Sequence, residues 1–207
     1  NEELSKINSI PGISESSPVI ENKVVLNFKD KTMMAVLRGV QSNYSKIVQI
    51  DSLMISGSWF EDGYSEVIIG SSIAKQINLG VYDYSGLLKI TVPRKLNKST
   101  INFNPFKTET ALVAGIYSSI EDINKLYVFS NINFARKLFQ NQLNKFDFID
   151  LKIQGAPNIK NLKKEIFKAL NNQVIVESRK ELNSSIYKML NNENIVLYLV
   201  FSFIVLI

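Results

Sequence analysis

The sequence predicts an α+β fold, and three observations predict it. Through the first two thirds of the 207 residues, short runs rich in β-branched and aromatic residues alternate with turn residues. The last third reads as a strand, an amphipathic helix and a second strand, a unit of the split β-α-β type. Helical periodicity then resumes at Leu182 and widens, over residues 195–207, into the uncharged run IVLYLVFSFIVLI. A helix crossing a bilayer takes ~20 predominantly apolar residues. The 13 of this run are expected to be the first turns of a transmembrane helix that starts within residues 191–207. The start at Asn1, without Met, fits a segment of a larger protein.

Each element has its own sequence signal. Leu4, Ile7 and Ile10 recur at helical spacing, and Pro11-Gly12 stops them. Residues 17–20 and 24–28 read as strands ahead of a turn at Asp30-Lys31, and 33–40 as the next strand. Val48, Ile50, Leu53 and Ile55 read as strand positions, followed by a Gly57 turn and Trp59-Phe60. Residues 66–69 form a β-rich run closed by Gly70. Ser71 or Ser72 is expected to cap a helix over 73–79, with Gly80 in the left-handed position at its end. Residues 87–92, 110–117 and 126–129 read as strands and 133–140 as a helix. The final unit is strand 146–153, helix 158–170 and strand 173–176; Ile186, Met189 and Leu190 continue the stripe from Leu182. No internal repeat interrupts this order.

Composition narrows the chemistry. A chain this long can bury about 70% of its unfolded surface without covalent staples. It has neither Cys nor His, which excludes disulfides, thiolate metal sites and every relay built on imidazole. The net charge is +5, but only Arg38, Arg94, Arg136 and Arg179 of the basic residues are Arg, and the charge is spread along the chain. Nucleic-acid binding would cluster Arg with aromatics, so no nucleic-acid partner is expected. The one dense basic stretch, Lys160, Lys163, Lys164 and Lys168, reads as the solvated face of a helix whose other face carries Ile159, Leu162, Ile166 and Leu170.

Catalytic motifs are lacking. Gly70-Ser71-Ser72 has neither the second glycine nor the lysine of a phosphate loop and reads as a plain helix cap. Glu61-Asp62 and Glu121-Asp122 read as solvated turns without the oxygen-rich pattern of a calcium loop. Asp147 and Asp150 have odd spacing on a strand and face opposite sides, unlike a hydrolase carboxylate pair. We expect no catalytic residues, no cofactor, no metal and no hydrolase activity, and a binding or mechanical role instead. The best surface is the connection 93–109, where Arg94, Lys95, Lys98 and Lys107 mix with Leu96, Ile101, Phe103 and Phe106 between Pro93 and Pro105. Loops of this length are often functional, and aromatics beside cations suit a partner interface.

Five segments carry a resemblance by their order and spacing. They are Ile10-Pro11-Gly12-Ile13 with Ser17-Pro18-Val19-Ile20; Leu37-Arg38-Gly39-Val40; and Glu66-Val67-Ile68-Ile69-Gly70 with Ile73-Ala74 and Leu79-Gly80. Leu112-Val113-Ala114-Gly115-Ile116-Tyr117 follows, and then Ser178-Arg179-Lys180-Glu181-Leu182 leads through Glu193-Asn194 into the apolar run. Nearly end to end, the chain resembles the extracytoplasmic domain of ABC-transporter permeases, those of the lipoprotein-releasing LolC and LolE type and their MacB and FtsX relatives. It departs at Tyr82-Asp83, where the family usually has Gly-Asp.

The resemblance implies a MacB-like periplasmic core domain. A porter-like split β-α-β lobe would be formed by residues 1–50 and 147–190, with a β-rich lobe, 51–146, inserted in it and transmembrane helices flanking the whole. It implies an inner-membrane permease whose present domain is periplasmic, a second permease subunit (the same chain or a sister), and a separate cytoplasmic ATPase subunit. In the lipoprotein-releasing branch, ATP hydrolysis drives extraction of a lipoprotein cargo and its hand-over to a periplasmic chaperone, which a hook loop captures. By position, 93–107 is the hook, and Pro93, Arg94, Phe103, Pro105 and Phe106 are its expected contact residues. A MacB-type efflux permease docking a periplasmic adaptor, or an FtsX-like activator of cell-wall hydrolases, are the alternatives within the resemblance.

Overall fold

The computed structural model describes residues 2–94, 105–119, 121–142, 145–155, 157–178 and 181–182. The expected transmembrane start at 191–207 and the stripe at 186–190 lie outside these residues. Among the described residues no helix is long and apolar enough to cross a membrane. Contacts divide the chain into two units. One comprises residues 1–8 and 13–153; the other comprises 9–12 and the chain from 154 onward.

The first unit is built on a ring of strands. After helix α1 (Glu2–Asn8) come β1 (Ile13–Phe28) and β2 (Lys31–Val40), helix α2 (Tyr44–Val48), a 3-10 turn (Ile50–Leu53), β3 (Met54–Gly57) and β4 (Glu66–Gly70). Helix α3 (Ser71–Ile77), β5 (Leu88–Pro93), β6 (Phe106–Tyr117), α4 (Glu121–Leu126), β7 (Tyr127–Asn131), α5 (Ile132–Phe139) and β8 (Phe148–Ile153) follow. The hydrogen-bonded order β2-β7-β4-β6-β5-β1 closes on itself through the β1–β2 hairpin; β3 adds to β6, and β8 pairs with the first half of β1. Two pairs in the ring, β2–β7 and β4–β6, are parallel and the rest antiparallel.

Alternation places the core. Val24, Leu26 and Phe28 on β1, Ala35 and Leu37 on β2, Val67 and Ile69 on β4, Leu88, Ile90 and Val92 on β5, and Val113 and Val128 on β6 and β7 form one buried cluster inside the ring. Helices α3 and α5 contribute Ile73, Ile77, Phe134 and Leu138 to it. The intervening positions Val40, Ile68, Ala114, Tyr117 and Phe129 point outward and form a second cluster, covered by Tyr44, Ile50 and Phe60. A strand buried on both faces reads as a continuous apolar run, which explains Val67-Ile68-Ile69. Gly39 makes the approach of α5 possible: a Cβ there would sit 2.2 Å from that of Ala135.

Several expectations are corrected. The two strands at 17–20 and 24–28 are one, because β2 pairs without a break from Ile20↔Gly39 to Phe28↔Lys31. Residues 44–53 are helical rather than strand; Tyr44 and Ile50 there fill the outer cluster. Helix α3 is capped neither by Ser71 nor by Ser72. It starts directly from Gly70, where a Cβ would meet the Asn124 carbonyl oxygen at 2.1 Å. Its left-handed end is Asn78 (φ 54°), not Gly80. Glu121 and Asp122 begin α4 rather than a turn. Tyr82 takes φ 49°, a region glycine enters freely.

In the second unit, Gly12 accepts a hydrogen bond from the Gln154 amide at 2.9 Å. Helix α6 (Ile159–Ala169) is capped by Asn158, whose side chain accepts from the amides of Lys160 and Asn161. Asn171 and Asn172, both left-handed, turn the chain after it. The expected strand 173–176 forms no ladder, so the split β-α-β unit is a strand and a helix followed by an irregular segment. Glu181 supplies the carboxylate half of a capping box: it accepts from the Ser178 amide at 2.7 Å and from the Ser178 hydroxyl at 2.8 Å. The hydrogen bond from Lys163, together with those from Ser178, holds the Glu181 pKa down to about 2.

Candidate functional site

The β5–β6 ladder runs from Leu88↔Ala111 to Pro93↔Phe106. Beyond it, the Arg94 amide still donates to the Pro105 carbonyl at 2.7 Å. Pro93, Arg94, Pro105 and Phe106 are therefore gathered at the open end of a two-stranded ribbon. Phe103, and the rest of 95–104, lie outside the described residues. Proline suits this end position, where no further ladder bond is asked of its nitrogen. Pro93 and Phe106 share the outward face with Thr91 and Thr108, whose hydroxyls meet at 2.8 Å. Phe106 keeps 53% of its surface exposed. On the other face, Glu109 receives Lys137 of α5 at 2.7 Å and Lys107 at 3.9 Å, and Lys107 also reaches the Lys137 carbonyl. The ribbon is thus pinned to α5 just below its end and presents a fixed base for the 94–105 connection.

A second constellation lies on the outer face of β2. Arg38 is registered opposite Glu21 across the hairpin, and its Nε donates to the Glu21 carboxylate at 2.7 Å. Its Nη1 donates to Tyr44 Oη at 3.1 Å and lies 3.3 Å from Asp150 Oδ2. Tyr44 in turn donates to Asp150 at 2.6 Å. The guanidinium also sits over the Tyr127 ring, 5.3 Å from its centroid. One arginine thus ties together β1, β2, α2, β7 and β8. Burial works against its charge, but Tyr44, Glu21 and Asp150 outweigh that and hold its pKa above the ordinary value.

Two phenols are buried beside it. Burial pushes the Tyr44 pKa up, with Asp150 adding to the rise and Arg38 opposing it. Burial also raises that of Tyr117, whose hydroxyl lies 3.0 Å from the carbonyls of Ile123 and Tyr127. A folded-state pKa above the unfolded one gives stability that is complete below the unfolded value and lost as pH rises beyond it. The window here opens at pH 10, the ordinary phenol value. Stability measured by urea unfolding is expected to fall above it, with a slope approaching about 1.4 kcal/mol per pH unit for each phenol. Tyr44→Phe should remove one phenol's share, and an unchanged slope in that variant would refute the assignment.

Sequence reasoning missed the Arg38 constellation, although it singled out Arg38 within Leu37-Arg38-Gly39-Val40. The signal available was the hairpin itself, because a turn at 29–30 sets Glu21 opposite Arg38. Tyr44 and Asp150 have no such cue. Asp147 and Asp150 serve different partners, since Asp147 accepts from the Glu21 amide at 2.9 Å. Asp62, expected to be solvated, accepts from Asn131 at the start of α5. Among the described residues no three carboxylates converge as a metal site would require.

No protein-family model matches the chain, and no curated protein matches it in sequence. Two extracytoplasmic domains are among the solved structures that share its fold. The extracellular domain of the noncanonic ABC-type transporter YknZ from Gram-positive bacteria matches with a TM-score of 0.57 at 14% identity, over 83% of this chain and 82% of that one. The periplasmic region of MacB from Actinobacillus actinomycetemcomitans matches with a TM-score of 0.57 at 15% identity, over 82% of this chain and 71% of that one. At such identities the likeness is one of fold: the chain has the α+β fold of these two extracytoplasmic domains.

Proposed function

We propose that the chain is the extracytoplasmic domain of an ABC-type transporter permease. It works outside the membrane as a non-catalytic part, while a separate cytoplasmic ATPase subunit supplies the energy and a second permease subunit completes the pair. The observation that carries this reading is the fold match to the extracellular domain of YknZ, which spans more than four fifths of both chains. The uncharged run at 195–207 supports it, because its composition suits a bilayer.

Within that reading we assign the domain to lipoprotein release, with the β5–β6 ribbon carrying the hook that takes a periplasmic chaperone. The pinned base at Pro93 and Phe106 supports this, since a loop that captures a partner gains from a fixed root. A MacB-type efflux permease, docking a periplasmic adaptor, is the second reading, and the likeness to MacB favours it. Photo-crosslinking from positions 103 and 106 in the full permease, in cells, separates them. A lipoprotein chaperone among the adducts is the expected result. An adaptor would move the assignment to efflux, and the absence of any adduct would remove the partner role of 93–107.

A further inference from the structure

Helix α6 and the segment after it flank an open apolar groove of about 400 Å³, lined by Lys163, Lys164, Phe167, Val174, Ile175 and Val176. Phe167 keeps 42% of its surface exposed and Ile175 keeps 91%. At about 100° per residue, Lys160, Lys163, Lys164 and Phe167 share one arc of the helix. The buried pair Leu162 and Ile166 lies on another. An aromatic side chain therefore stands among ammonium groups, facing three β-branched residues that Asn171 and Asn172 have turned back toward it. Glu181 pairs with Lys163. Among the described residues Lys160 and Lys164 form no ion pair.

We propose that this groove docks on a bilayer surface bearing anionic phospholipid. Phe167 and Ile175 enter the boundary between headgroups and acyl chains, and Lys160 and Lys164 meet the phosphates. Charge complementarity favours lipid: Lys164 lines the apolar groove and Lys160 lies on the same arc of the helix, and lysine stems can cover apolar surface while their heads meet anions, as in an interfacial amphipathic helix. Chain continuity favours it too. The uncharged run begins at Ile195, not far beyond Val176. A connector of that length spans about 65 Å fully extended and about 30 Å as a helix, so the groove is tethered within reach of any bilayer the run enters. This docking does not depend on which protein the β5–β6 ribbon engages.

The absence of Cys makes a clean test possible. A Gln173→Cys variant of the full chain, labelled with an environment-sensitive fluorophore beside the groove, is reconstituted in phosphatidylcholine vesicles with and without phosphatidylglycerol. Emission should shift to the blue, and iodide quenching should fall, only with phosphatidylglycerol, and high salt should reverse both. Adding K160Q/K164Q should lower the docked-to-undocked ratio about 30-fold. Ile175→Asn should weaken docking with the lysines intact, and circular dichroism of each variant checks the fold. A label that stays in water overturns the proposal. So does a shift that is equal in both lipids and indifferent to K160Q/K164Q, or one seen only when other membrane proteins are present.

Discussion

Replacing Arg38 with Met is expected to destabilise the first unit by about 3 kcal/mol, the lower end of the range for breaking a buried ion pair from one side. The reason lies in what remains. Glu21 and Asp150 lose the cation that compensates them, in a site where their side chains keep only 21% and 33% of their surface exposed. That partial exposure keeps the cost at the lower end, because water still reaches both carboxylates. Adding Glu21→Gln and Asp150→Asn to Arg38→Met should recover part of the loss by removing the orphaned charges. Urea unfolding measures both variants. A loss under about 1 kcal/mol for Arg38→Met would place the cluster among ordinary surface ion pairs. Amide exchange adds a spatial readout: residues 148–153 should open first, since Asp150 is where β8 meets the guanidinium.

Much of the ring was legible because its strands alternate. Val24, Leu26 and Phe28, or Leu88, Ile90 and Val92, announce a strand with one face inward, and both lie where the pattern puts them. The segment 44–53 was not legible. Val48, Ile50 and Leu53 fit neither period cleanly, and their conformation is set by the outer aromatic cluster they cover rather than by local preference. Helix ends were misread for a related reason. Gly70 resembles a strand terminator followed by a serine cap, yet the demand on it comes from Asn124, more than fifty positions away. Of the candidate site, the prolines marked a connection at 93–109, but the ribbon was not read there: Pro93 ends β5 and β6 begins at Phe106, so Lys107, Thr108 and Glu109 are strand rather than loop. The Arg38 constellation was not legible either, because only Glu21 is linked to it through a turn.

The second large effect is expected at Phe129, which β7 places in register beside Arg38. Its ring lies 5.5 Å from that of Tyr117, 5.8 Å from Trp59, 6.0 Å from Tyr44 and 6.5 Å from Tyr127. Phe129→Ala should cost about 3–5 kcal/mol, the lost transfer energy of the ring plus the void it leaves. Phe129→Leu should cost less because it refills much of that void. A loss near 1 kcal/mol for the alanine variant would mean that the surrounding rings collapse into the space and that the outer cluster is loosely packed. Arg38 and Phe129 should also couple. Tyr44 and Tyr127 touch both: each holds the guanidinium, by hydrogen bond or ring face, and each packs on the Phe129 ring. Once the ring is gone these two side chains can shift, so Arg38→Met should cost less in the Phe129→Ala background than in the parent. An additive double-mutant cycle, within about 0.5 kcal/mol, would mean that the charged cluster and the aromatic cluster stand independently on the same face of the ring.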